Sequence, residues 1–126
     1  MTAKWKKSPP ELIARFDAAL KVDGRIERRQ MFGFPCAFLN GHMLTGLFQD
    51  SMMVRLSEAD RIKAMAEPGA STFEPMKGRP MREYVVLPPA IVADTRKLRA
   101  WLRRAIAHVD ALPAKKPKQP KKPKRG

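Results

Sequence analysis

Cys36, His42 and His108 are the only cysteine and histidines of this 126-residue chain, and they are where metal or nucleophilic chemistry would have to start. Three such ligands could make a zinc site that keeps a fourth position open. No two of them stand at the close spacing such sites use, so the pattern predicts no metal. A cysteine nucleophile needs an exposed, electropositive setting. Cys36 instead sits in the apolar run Phe34-Pro35-Cys36-Ala37-Phe38 and reads as a small buried hydrophobe. His42 follows Asn40-Gly41 with no acid-base partner near it in sequence. No catalytic set and no cofactor motif emerges, and a small enzyme is the weakest of the functional readings.

The cations are more informative. The formal charge is +14, and seven of the basic residues fall between Pro113 and Gly126: Lys115, Lys116, Lys118, Lys121, Lys122, Lys124 and Arg125. No acid accompanies them. Setting aside these seven and Lys4, Lys6 and Lys7 leaves 16 basic residues against 12 acidic ones over 8–112, a net +4. The ends therefore carry the excess, which suits a polyanionic partner. If all seven tail charges met phosphates, the logarithm of affinity would fall with the logarithm of salt at a slope of roughly −6. The tail has no aromatic residue to stack on bases, so such binding would be indifferent to sequence. The other reading is a solubilising tail with no partner.

Two further basic features stand in the body. Lys77, Gly78 and Arg79 form a short loop-like stretch where glycine would let backbone amides approach an anion, although it lacks the GxxxxGK spacing of a phosphate loop. Its alternative is a plain structural turn. Arg96, Arg99, Arg103 and Arg104 crowd one side of a helical pattern and either extend the basic surface or form an ordinary solvated face.

These residues must be carried by short elements. Residues 1–7 read as a polar arm. Ser8, with Pro9, Pro10 and Glu11 behind it, reads as the capping box of a first helix, along which Leu12, Ile13, Phe16, Ala19 and Leu20 fall at helical spacing until Asp23-Gly24. Strand texture follows at 26–32, 34–39, 43–48 and 52–56, with Asn40-Gly41 as a strong hairpin turn. The connections are too short for parallel crossovers, so the strands form an antiparallel meander. Ser57 and Asp60 cap a second helix, which Pro68-Gly69 ends. Residues 71–74 read as a short edge strand, 76–81 as a loop, 84–87 as a strand and 90–93 as one helical turn. Asp94 caps the last helix, whose stripe is Leu98, Trp101, Leu102, Ala105, Ile106 and Val109. Residues 113–126 are predicted to be disordered, since lysine and proline with almost nothing apolar cannot offset the entropy of ordering.

Met31, Met43, Met52, Met53, Met76 and Met81 are many methionines for one sheet. Met52 and Met53 must point to opposite faces. Either they fill an adaptable core, or they leave an apolar sheet face for a protein partner or a homodimer.

The order of these pieces resembles the TfoX N-terminal domain family. The resemblance rests on Arg29-Gln30-Met31-Phe32-Gly33, Ala37-Phe38-Leu39-Asn40-Gly41-His42-Met43 and Met52-Met53-Val54-Arg55-Leu56. Pro75-Met76-Lys77-Gly78-Arg79-Pro80-Met81 before Tyr84, and Leu87-Pro88-Pro89 before the helix with Trp101, complete it over roughly residues 8–112. Phe34-Pro35 departs from the second small residue that the family often has after Gly33. The resemblance implies a two-layer α+β fold with about three helices on an antiparallel sheet. It also implies a link to regulation, since the namesake proteins promote natural competence as transcriptional co-activators beside a DNA-binding factor. The namesake carries a further C-terminal domain where this chain has its basic tail. The family supplies no catalytic residues to carry over.

The single cysteine fits a reducing compartment. No apolar segment follows the charged N-terminus, and no run approaches 18 apolar residues, so neither a secretory signal nor a membrane span is expected. The reading is a cytoplasmic, bacterial, non-enzymatic accessory or regulatory protein with nucleic-acid affinity from its tail. The alternative is an interaction or dimerisation module.

Overall fold

The computed structural model describes residues 7–113 except Phe32 and Lys77, with the backbone alone at Pro75, Met76 and Arg79. The first helix, α1, spans Pro10–Ala19 and tightens into one 3-10 turn at Leu20–Val22 before Asp23 turns extended. It buries Phe16 and Ala19. The expected capping box does not form, because Pro9 is the N-cap and no side chain caps it. Two prolines at the start have no N–H to satisfy, which removes much of the need for a cap. The Ser8 hydroxyl is free to donate to the carbonyl of Gln49, 2.7 Å away, and ties the helix start to a distant turn.

Six strands follow in one antiparallel sheet: β1 Glu27–Met31, β2 Phe34–Leu39, β3 His42–Phe48, β4 Ser51–Arg55, β5 Ser71–Met76 and β6 Arg79–Val86, in spatial order β1-β2-β3-β4-β6-β5. The β2–β3 turn has Asn40 at φ 55° and Gly41 at φ 84°. Both positive angles match the tight hairpin that asparagine-glycine favours. The register slips between Ala37 and Phe38, from Ala37 opposite Thr45 to Phe38 opposite Met43. Leu44 is the extra residue of this bulge, so Leu44 and Thr45 are adjacent yet both fully buried.

Of the stretch expected as a loop at 76–81, Met76 and residues 79–81 are strand. β5 and β6 form a hairpin in which Met76 pairs with Arg79, and Gly78 takes φ 81° in the turn. Pro75, Gly78 and Pro80 look like breakers in sequence, but near the tip of an outer hairpin a missing N–H or a kink costs little. β6 therefore begins five residues before the expected Tyr84.

Between β4 and β5 lies α2, Glu58–Met65, where the Ser57 hydroxyl accepts from the Asp60 amide at 3.3 Å. It buries only Ala64, while Ile62 and Met65 point outward. The one-turn helix α3, Pro89–Val92, leads into α4, Thr95–Asp110, whose N-cap Asp94 accepts from the Lys97 amide.

All four helices pack on one face. The core there joins Phe16 of α1, Ala64 of α2, Ile91 of α3 and Leu98, Leu102, Ala105 and Val109 of α4 to Leu39, Leu44, Met52, Val54 and Val85 of the sheet. Each fully buried leucine, valine or phenylalanine contributes roughly 1.5–3 kcal/mol. Met52 lies here, and Met53 on the opposite face, as alternation requires. That second face carries a smaller cluster drawn from strands alone: Met53, Phe73 and Tyr84, with Met43, Phe48 and Val86 packed around them. Phe34, Phe48, Phe73 and Tyr84 form a chain of rings with centroids 5.3, 5.6 and 6.5 Å apart. The Tyr84 hydroxyl donates to the Met43 carbonyl at 3.1 Å. Gly46 makes room for the cluster, since a Cβ there would lie 3.0 Å from the Met53 methyl and 3.2 Å from Cys36 Cβ.

Both sheet edges are poor templates for further strands. β1 exposes Glu27, Arg28, Arg29 and Gln30, and β5 includes Pro75, which has no N–H to offer.

Candidate polyanion-binding surface

Helix α4 separates its residues by character. Leu98, Leu102, Ala105 and Val109 are buried, and Trp101 and Ile106 are half-buried beside them. On the far side stand Arg96, Arg99 and Arg103, all exposed. At 3.6 residues per turn these three project within about 60° of one another and span about 10 Å. Lys97 flanks them, also exposed.

Most of the described arginines elsewhere are engaged, the exposed Arg82 on β6 excepted. Arg28 meets Asp17 at 2.6 Å, Arg29 meets Glu27 at 2.7 Å, and Arg55 meets Glu83 at 2.6 Å. Arg104 reaches Asp60 of α2 at 2.7 Å and stacks over the Trp101 ring at 5.2 Å. Arg15 and Arg61 donate to the carbonyls of Ala93 and Leu56. Among the described residues, Arg96, Arg99 and Arg103 have no such partner, so their charge faces solvent uncompensated.

The C-terminal end of α4 is clasped to the strands. Arg25 donates to both Asp23 and Asp110, and Asn40 donates to Asp110 at 3.3 Å. The Arg25 guanidinium holds the Asp23 carboxyl below its ordinary range, and the Asp23 and Asp110 carboxylates in turn push Arg25 further up. His42 Nε2 lies 2.7 Å from the Pro113 carbonyl. A carbonyl only accepts, so this nitrogen carries the proton. The seven tail cations continue from that point but lie outside the described residues, as does their expected disorder. Sequence reading found the charges and missed the clasp, whose partners stand 70 and 71 residues apart with no local signal.

The remaining candidates come out as follows. Cys36 is buried, 2% exposed, and burial pushes its thiol up, away from thiolate character. His108 lies partly buried on α4, apart from His42 and Cys36, and among the described residues no cluster of histidine, cysteine or carboxylates could hold a metal. Burial pushes His108 down, and its Nε2 has no described partner. Lys77 and the Arg79 side chain lie outside the described residues. The Gly78 amide, which would have met an anion, donates instead to the Glu74 carboxylate at 2.7 Å.

Among the described residues the surface also carries open grooves, of which two are the larger. One of about 420 Å³ runs past Glu11, Arg15, Asp50 and Ser51, and one of about 700 Å³ lies between α2 and the β5–β6 hairpin, past Arg61, Ile62 and Arg82. Neither is lined by a histidine or a cysteine. Among the described residues no helix is long and apolar enough to cross a membrane.

Against this geometry, the family model described as the TfoX N-terminal domain matches residues 17–109. The match runs from the second half of α1 to the last turn of α4. No curated protein and no solved structure matches the chain.

Proposed function

The chain belongs to the TfoX N-terminal domain family, and on that premise we propose that it is a non-enzymatic accessory protein of regulation, held to nucleic acid by its basic tail. The family is a non-enzymatic one, with a regulatory, competence-related role. The observation that carries the tail's part is the charge distribution: seven cations and no acid over 113–126 in a chain whose body is close to balanced. Prolines interleave the lysines and keep such a segment extended, so its charges can follow a phosphate backbone without folding. The clasp of His42 on Pro113 fixes where the tail leaves the body.

The test is a titration of a labelled DNA duplex and a matched RNA with the full chain and with residues 1–112, across a salt series. The full chain is expected to bind with a steep salt slope, and truncation to remove most of the affinity. Equal binding by both would sink the tail reading.

A second reading has its own observation. The helix-free sheet face leaves Met43, Phe48 and Val86 only half-buried, and Met81 is 38% exposed. A partner or a second copy could cover them. Light scattering of the full chain across concentration would show a dimer if this face joins two copies.

A further inference from the structure

We propose that the outer face of α4 is a docking ridge for the sugar-phosphate backbone of a nucleic-acid duplex, contacted by Arg96, Arg99 and Arg103. The inference rests on the nucleic-acid reading above and adds a rigid element of the folded body to a tail that the reading treats as acting alone.

Three observations carry it. First, the ridge gathers three unpaired arginines on one helix face, whereas Arg25, Arg28, Arg29, Arg55 and Arg104 each have a carboxylate at hand and the exposed Arg82 stands singly on β6. Second, the charges stand at the wrong end for the helix itself. A helix N-terminus carries partial positive charge and favours acids in its first turn. α1 and α2 obey, with Glu11 and with Glu58 and Asp60, whereas α4 has no acid there and carries Arg96 and Lys97 instead. The N-cap carboxylate of Asp94, bonded to the Lys97 amide, answers the helix end, but no acid of the first turn is left to pair with the Arg96 and Lys97 side chains, which stay open to an external anion. Third, the ridge has the right form. Its length of about 10 Å matches the axial rise of about three phosphates of one strand, and the guanidinium fork suits bidentate phosphate contact.

The same geometry selects against other anionic partners. A helix lying in a membrane interface presents apolar side chains to the lipid. α4 turns Leu98, Leu102 and Val109 into the core, half-buries Trp101 and Ile106, and has only Ala100 and Ala107 as exposed apolar residues. No aromatic side chain stands on the ridge to stack on an unpaired base, which favours a duplex over a single strand.

The experiment uses the full chain. The variant Arg96→Ala/Arg99→Ala/Arg103→Ala is compared with Arg96→Lys/Arg99→Lys/Arg103→Lys and with Lys21→Ala/Lys63→Ala/Arg82→Ala, which removes the same net charge from exposed sites elsewhere. Each is titrated with a labelled duplex between 50 and 200 mM salt, with circular dichroism to check the fold. Alanine is the best helix former, so the ridge variant is expected to fold. Losing three phosphate contacts should make the salt slope shallower by about three and weaken binding at 100 mM salt about tenfold or more. The lysine variant should keep the slope, and the control should stay close to the parent. An unchanged slope in the ridge variant, with the parent binding steeply, overturns the ridge and leaves the tail reading standing. An equal loss in the control also overturns it, as does a lysine variant that behaves like the alanine one. Loss of binding to phosphatidylserine vesicles with duplex binding unchanged assigns the ridge to membranes and overturns it too. A parent that binds no duplex even at 50 mM brings down both readings.

Discussion

His42 on β3 donates from Nε2 to the carbonyl of Pro113, 71 residues later in the chain, across 2.7 Å. With Asn40 and Arg25 on Asp110, it fastens the end of α4 to the β2–β3 turn. His42→Ala should cost only about 0.5–1.5 kcal/mol, the usual net worth of one hydrogen bond. The amides of Ala111 and Leu112, which bond back to α4 carbonyls, should exchange with solvent several-fold faster. Unchanged exchange there would show that Asp110 alone holds the end.

Leu102 is fully buried where α4 meets the sheet. Leu102→Ala should destabilise the domain by about 2–5 kcal/mol, read from chemical denaturation. A negligible cost would mean that the apolar stripe does not anchor the helix.

Cys36 and Gly46 face each other across β2 and β3. Cys36→Ser places a hydroxyl among apolar neighbours and should cost about 1–3 kcal/mol with duplex affinity unchanged. Gly46→Ala should cost a similar amount, about 1–3 kcal/mol by overpacking, because the Met53 and Met43 methyls can shift but Cys36 Cβ is fixed to its strand. If Cys36→Ser lowered affinity at full stability, the thiol would have a function after all.

His108 gives the fold a pH dependence. Burial holds its imidazole below the ordinary value of 6.5, with Glu83 on β6 and Asp60 on α2 opposing, and Arg55 on β4 and Arg61 on α2 reinforcing. As pH falls through 6.5, the unfolded chain takes up a proton that the folded chain resists, so stability drops. Above that range the residue is neutral in both states and contributes no slope. The melting temperature should fall from about pH 7.5 to about pH 5.5, and by less in His108→Leu, which removes the titration and the unpartnered nitrogen together. Equal falls in both proteins would assign the slope to other groups.

Much of the fold was legible because its signals are local. Ser57 and Asp94 cap their helices, Asn40-Gly41 turns its hairpin, and Met52 and Met53 part to opposite faces. Reading failed where the outcome depends on residues far apart. Gly78 and Pro80 suggested a loop at 76–81, yet pairing beside β4 makes β6 a strand. Ser8 looked like a cap until Gln49, 41 residues away, claimed its hydroxyl. The candidate site divides in the same way. The phase of Arg96, Arg99 and Arg103 follows from helical spacing, but that Arg104 is paired and they are not depends on Asp60, 44 residues from Arg104.

The charged rim of β1 and the proline in β5 bear on how copies of the protein could share one polyanion. Molecules gathered along a phosphate backbone sit at high local concentration, the condition under which open strand edges zip neighbours into filaments. With Glu27 to Gln30 exposed along one edge and Pro75 lacking an N–H in the other, a copy brought beside another would meet edges that offer it little backbone pairing.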